Sequence, residues 1–215
     1  VTTHGHNHPE LNKALQTQIK QISHSTLLGL SHEPAIDLAE TLIGITPKNL
    51  QKVFFSDSGS TAVEVAIKIA YQYWQIKGFT QKKYFITFDG AYHGDTVGAV
   101  SVGGIDLFHS IFHPLLFQCT QLPYPHIYRP PKETDEKHCL EYCKQTALET
   151  IQKKHSEIAA VIIEPMIQGA SGMGLQPPGF LSFIASLCRD YHILLICDEV
   201  ATGFGRTAKM FAVEH

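Results

Sequence analysis

Five apolar residues in a row, Ile193-Leu194-Leu195-Ile196-Cys197, stop abruptly at the acidic pair Asp198-Glu199. A run of that length between polar residues fits a strand covered on both faces, the kind found inside a parallel sheet. A carboxylate at the carboxyl end of such a strand is costly unless a cation or hydrogen-bond donors meet it. In open α/β sheets that edge is also where ligands bind. Asp198 is therefore either a cap on the turn that follows or part of a site. The Gly203-Phe204-Gly205-Arg206 turn just beyond it favours the site.

The same pattern recurs upstream. Val53-Phe54-Phe55, Tyr84-Phe85-Ile86-Thr87-Phe88 and Ala159-Ala160-Val161-Ile162-Ile163 read as three further strands, the last ending at Glu164-Pro165. Between the first two, Ala62, Ala66, Ile69, Ala70 and Tyr73 recur at helical spacing across residues 61–77. Residues 180–191 form an amphipathic helix that leads into the Asp198 strand. Such alternation predicts an α/β fold with a mainly parallel sheet flanked by helices, its strand ends aligned along one edge. Proline and charge across residues 122–136 predict a long surface loop, and Gly169-Ala170-Ser171-Gly172-Met173-Gly174 a second one.

Composition excludes several classes of function. A net charge of −3 offers no basic stripe for nucleic acid, and no apolar run is long enough to cross a bilayer. The five cysteines are scattered and odd in number, which suits a reduced, cytoplasmic compartment. Cys139 and Cys143, with His138 beside them, resemble half a metal site, but no second pair completes it, so no metal is assigned. The chain opens on Val1 rather than methionine, which suggests a piece of a longer one.

Three features near the predicted sheet edge carry chemistry. Ser58-Gly59-Ser60 lies between a strand and a helix, where free amides and the helix dipole either hold an anion, most often a phosphate, or merely await an N-cap. No Walker lysine and no G-x-G-x-x-G pattern accompany it, so nucleotide readings lose ground. Tyr92 follows the second strand in Tyr92-His93-Gly94-Asp95-Thr96; it either packs in a turn or stacks on a planar ring, and Asp95 is placed to face a cationic group. A phosphate cradle, a stacking aromatic and a buried carboxylate together describe pyridoxal 5′-phosphate. The carboxylate would keep its pyridine nitrogen protonated and the ring an electron sink.

The stretches 57–66, 91–96, 163–170 and 198–207 resemble those of class III aminotransferases of fold type I, and the likeness covers nearly the whole chain. Residues 4–11, the helix start at residues 60–65 and Gln72-Tyr73-Trp74 bring it nearest to the branch that transfers an amino group from S-adenosylmethionine to 8-amino-7-oxononanoate in biotin synthesis. Ornithine- or 4-aminobutyrate-type enzymes, and a non-catalytic remnant of the cofactor cradle, are the alternatives. The resemblance implies residues 1–40 leading into a large domain and residues 41–215 forming part of that cofactor-binding domain, with the C-terminal small domain absent. It assigns the cofactor phosphate to Gly59 and Ser60, and the two ring faces to Tyr92 and Val200. Asp198 would pair with the pyridine nitrogen, and Glu164 would join the polar network around it. Tyr92, Asp95 and Arg206 would lie near the substrate. A homodimer is implied too, while His4, His6 and His8 become an ordinary loop.

The same resemblance places the Schiff-base lysine past His215, because Lys209, the only lysine after Asp198, comes too soon. The 215 residues alone are therefore expected to be inactive. Ser171 and Ala208 stand where relatives usually carry glycine, and each is expected to stiffen or crowd its turn.

Overall fold

The computed structural model describes residues 2–105 and 110–215. It divides into two compact units, Val1–Phe54 and Phe55–His215. The first holds two helices, α1 (Pro9–Gln21) and α2 (Glu33–Ile45). Each starts with a proline in its first turn, where the missing N–H costs nothing. His32 caps α2 by accepting the Ala35 amide. Neither helix buries a residue, and α2 runs through residue 40.

The second unit is the sheet. In chain order it contains α3 (Gly59–Ile76), β1 (Tyr84–Phe88), α4 (Val97–Ser101), β2 (Thr120–Leu122) and α5 (Cys139–Lys154). These are followed by β3 (Ile158–Ile163), β4 (Ile167–Gln168), β5 (Gly174–Leu175), α6 (Phe180–Asp190) and β6 (Leu194–Cys197). Four strands pair in parallel in the order β2-β1-β3-β6. β4 and β5 form a small antiparallel hairpin.

Side chains leaving the two faces of the sheet build two cores. On one face Ile86, Phe88, Val161 and Ile163 meet α5 and α6 through Cys143, Ala147, Ile151, Phe180 and Ile184. On the other, Phe85, Ala160 and Ile162 meet α3 and α4 through Val63, Ile67, Ala70, Trp74 and Ala99. Coverage on both faces explains why β3 is wholly apolar and wholly buried. Lys82 fastens the amino end of the sheet: its ammonium donates to the carbonyls of His155, Ile158 and His192 and lies 4.6 Å from the Trp74 ring centre.

The parallel α/β architecture agrees with the sequence reading, and four local expectations need correcting or refining. Residues 53–55 form no strand; Phe54 is 68% exposed, and no neighbouring strand supplies the ladder that three residues need. β6 is only half-buried, because among the described residues it is the sheet's outer strand next to β3. The loop after β2 is not all surface: Tyr124 is buried edge-to-face between Phe88 and Phe180. Residues 169–173 of the expected loop are the turn of the β4–β5 hairpin, and Gly174 opens β5.

Candidate active site

The carboxyl ends of β1, β3 and β6 deliver residues 89–95, Glu164 and Asp198 to one edge of the sheet, and the first turn of α3 belongs to the same cluster. α3 starts where it does because Ser58 and Thr61 form a reciprocal capping box: Ser58 Oγ accepts the Thr61 amide at 3.3 Å and Thr61 Oγ1 accepts the Ser58 amide at 2.9 Å. Gly59 and Ser60 therefore occupy the first turn, whose amides have no acceptor within the helix.

Asp198 is fixed from two sides. One carboxylate oxygen lies 2.8 Å from His93 Nδ1, and the other accepts the Val200 amide at 3.1 Å. The His93 side chain is fully buried and that of Asp198 is 8% exposed. The carboxylate accepts, so Nδ1 carries the proton. His93 Nε2 is buried without a hydrogen-bond partner among the described residues.

Glu164 sits beside this pair. Its oxygens accept the amides of Tyr92 at 3.1 Å and Gly169 at 2.9 Å. Burial pushes its carboxyl above the ordinary glutamate range, opposed by those two amides. Tyr92 is half-buried, and its hydroxyl donates to Asp95 at 2.7 Å; that bond raises the phenol's pKa above the usual tyrosine value. The Asp95 amide donates to Ser60 Oγ at 3.3 Å, closing the circle on α3. Between them Gly94 holds φ of +117° with Ser60 against the place a Cβ would take, so only glycine fits. Val200 is 61% exposed, and its Cγ2 would lie 2.8 Å from a Cβ placed on Gly59.

Seven of the eight residues singled out from the sequence are thus joined by contacts: Gly59, Ser60, Tyr92, Asp95, Glu164, Asp198 and Val200. Arg206 is exposed on its turn, and its guanidinium makes no hydrogen bond or ion pair with a described residue. Glu199 binds the far end of that turn, accepting the amides of Ala212 and Val213 at 2.8 and 2.9 Å. Lys209 donates to the Glu214 carbonyl. Sequence reasoning gave His93 and Glu199 no role; the available signal was a histidine next to the stacking tyrosine and a second acid next to Asp198. No group of metal-binding side chains occurs among the described residues, the His4–His8 segment included.

The arrangement offers an anion seat at a helix N-terminus, an aromatic ring and an oriented carboxylate. That donor set fits a flat, phosphorylated, basic heterocycle, and the missing side chain of Gly59 lets Val200 pack against the helix start.

Comparison with known proteins shows the family. The family model for Aminotransferase class-III matches residues 1–215. An adenosylmethionine-8-amino-7-oxononanoate aminotransferase of Anoxybacillus flavithermus is 50% identical over 216 residues, covering 100% of this chain and 47% of its own length. The crystal structure of the enzyme of that name from Methanocaldococcus jannaschii superposes with a TM-score of 0.89 at 43% identity, over 98% of this chain and 45% of the other. An amine transaminase from an uncultivated Pseudomonas species, solved in its PLP-bound form, gives a TM-score of 0.89 at 35% identity, over 98% of this chain and 48% of the other. The chain spans about half the length of the curated relatives it matches.

Proposed function

The chain belongs to the class III aminotransferase family, and on that premise we propose that the protein it comes from is a pyridoxal 5′-phosphate-dependent aminotransferase. The donor is S-adenosylmethionine and the acceptor 8-amino-7-oxononanoate, giving 7,8-diaminononanoate. The observation that carries the cofactor assignment is the buried His93–Asp198 pair at the strand ends, in the same cluster as the open first turn of α3.

When bound, the cofactor supplies a protonated pyridine ring that withdraws electrons from the carbon losing its proton. The residues of this chain hold and orient it. Gly59 and Ser60 offer amides to the phosphate, and the dipole of an 18-residue helix favours the negative charge there. Tyr92 and Val200 would hold the ring between them. Asp198 would pair with the pyridine nitrogen, and a carboxylate there would keep that nitrogen charged. His93 fixes the Asp198 carboxylate, while Glu164 holds the Tyr92 backbone in register through its amide. Asp95 and Arg206 orient the amino and carboxylate groups of the substrate. The proton would move on a lysine that the family resemblance places beyond His215, Lys209 coming too soon after the Gly203-Phe204-Gly205-Arg206 turn. The 215 residues alone are on that reading expected to be inactive. The full-length protein would work as a homodimer.

Asp198→Asn tests the assignment. Losing a charge-assisted hydrogen bond of about 1.5–3 kcal/mol weakens cofactor binding roughly ten- to hundredfold, measured by equilibrium dialysis of the full-length protein. Unchanged affinity would remove Asp198 from the site. Activity with an ω-amine donor but none with S-adenosylmethionine would move the protein to the ornithine or 4-aminobutyrate type.

A further inference from the structure

Beyond its first turn, α3 makes one more contact with the site. Glu64, one turn past Ser60, places Oε1 2.7 Å from the Gly98 amide at the start of α4, while Ser60 Oγ accepts the Asp95 amide. Side chains four residues apart lie on one face of a helix. The segment that carries Tyr92 and His93 is therefore tied at two points to the helix that carries Gly59 and Ser60.

Gly98 shows how close this approach is. Its φ is not in the left-handed region, so the backbone itself does not call for glycine, and alanine is the better helix former. A Cβ there would nevertheless fall inside the Glu64 carboxylate, with Cδ only 2.6 Å away. The glycine makes room for the carboxylate.

We propose that Glu64 is a positioning residue, which rests on the pyridoxal 5′-phosphate reading above. By holding the Gly98 amide it sets the separation between the phosphate seat on α3 and the Tyr92–His93 face, and with it the tilt of the ring held between them. Glu64 touches no reacting atom and acts only through the 94–98 segment.

Four variants of the full-length protein test this: Glu64→Ala, Glu64→Gln, Gly98→Ala and the double variant Glu64→Ala/Gly98→Ala. Three quantities are read: the dissociation constant of pyridoxal 5′-phosphate, the visible circular dichroism of the bound cofactor, and amide hydrogen exchange at Asp95 and Gly98 without cofactor. Glu64→Ala and Gly98→Ala each weaken binding roughly tenfold, alter the dichroic band and speed exchange. Glu64→Gln retains an acceptor oxygen and stays near wild type. The double variant is no worse than Glu64→Ala, because the crowding partner is gone. If Glu64→Ala speeds exchange while affinity and dichroism stay wild type, the residue is structural and the proposal falls. It falls too if the two single effects simply add. Wild-type protein that takes up no cofactor overturns the proposed function and this inference together, whereas variants that match a cofactor-binding wild type overturn this inference alone.

Discussion

At 5% exposure, Lys82 is a buried cation whose charge is met by three carbonyls and the face of Trp74 rather than by an acid. Burial pushes its pKa below the usual lysine value, and the carbonyls favour the charged form. Lys82→Met would strand those acceptors and cost about 3 kcal/mol, read as a lower urea midpoint; a loss under about 1 kcal/mol would mean water replaces the ammonium. Ala208 holds φ of +70°, a left-handed conformation that favours glycine. Ala208→Gly is expected to raise stability by about 0.5 kcal/mol in thermal unfolding, the strain relieved exceeding the extra freedom given to the unfolded chain. Glu164 gives a pH signature. Its folded pKa lies above the ordinary 4.5, so the folded state holds this proton more tightly than the unfolded one. The cost of ionising it is absent below that ordinary value and grows as pH rises through the raised one, so stability falls across the window. Urea unfolding at several pH values should show this fall in the wild type and a flatter profile in Glu164→Gln.

Among the elements, α3 links fold and site most directly. Ser58→Ala removes half of its capping box and should cost about 1 kcal/mol, and the same change should loosen the amides that face the phosphate, so cofactor affinity drops with stability. The N-terminus of α3 could be read from Ser58-Gly59-Ser60, and β1 and β3 from their apolar runs, because these signals are local. Strand β2 escaped because three residues, Thr120–Leu122, show no period. Residues 53–55 looked like a strand for the converse reason: aromatic and β-branched side chains suit a pleat, but pairing depends on an edge that composition does not reveal. The half-burial of β6 likewise depends on its neighbours. Within the site, Asp198, Tyr92 and Glu164 stand out by their places at strand ends. The His93–Asp198 pair joins residues 105 positions apart, and the Glu64–Gly98 contact spans 34, so both become visible only once the sheet order is known.

Across the whole molecule, apolar side chains remain uncovered. Leu28, Ile76 and Ile111 are among the most exposed, and Leu11, Leu15 and Ile19 line one face of α1. Surface of this kind associates, so the 215-residue chain should form larger species on size-exclusion chromatography as its concentration rises, and a monomer at all concentrations would contradict that. The five thiols should be slow toward alkylating reagents until unfolding, since Cys139 and Cys143 are fully buried and burial pushes the Cys119, Cys188 and Cys197 thiols up to about 12. No described helix is long and apolar enough to cross a membrane. The central claim is that the edge formed by α3, residues 92–95, Glu164 and Asp198 is a pyridoxal 5′-phosphate seat. Its most direct test is an absorbance spectrum of the gel-filtered protein after incubation with the cofactor, for the 215-residue chain and for a version extended along its reading frame. We predict a retained cofactor band in the extended protein, bleached by S-adenosylmethionine and weakened in Asp198→Asn. An extended protein that emerges colourless would contradict the account.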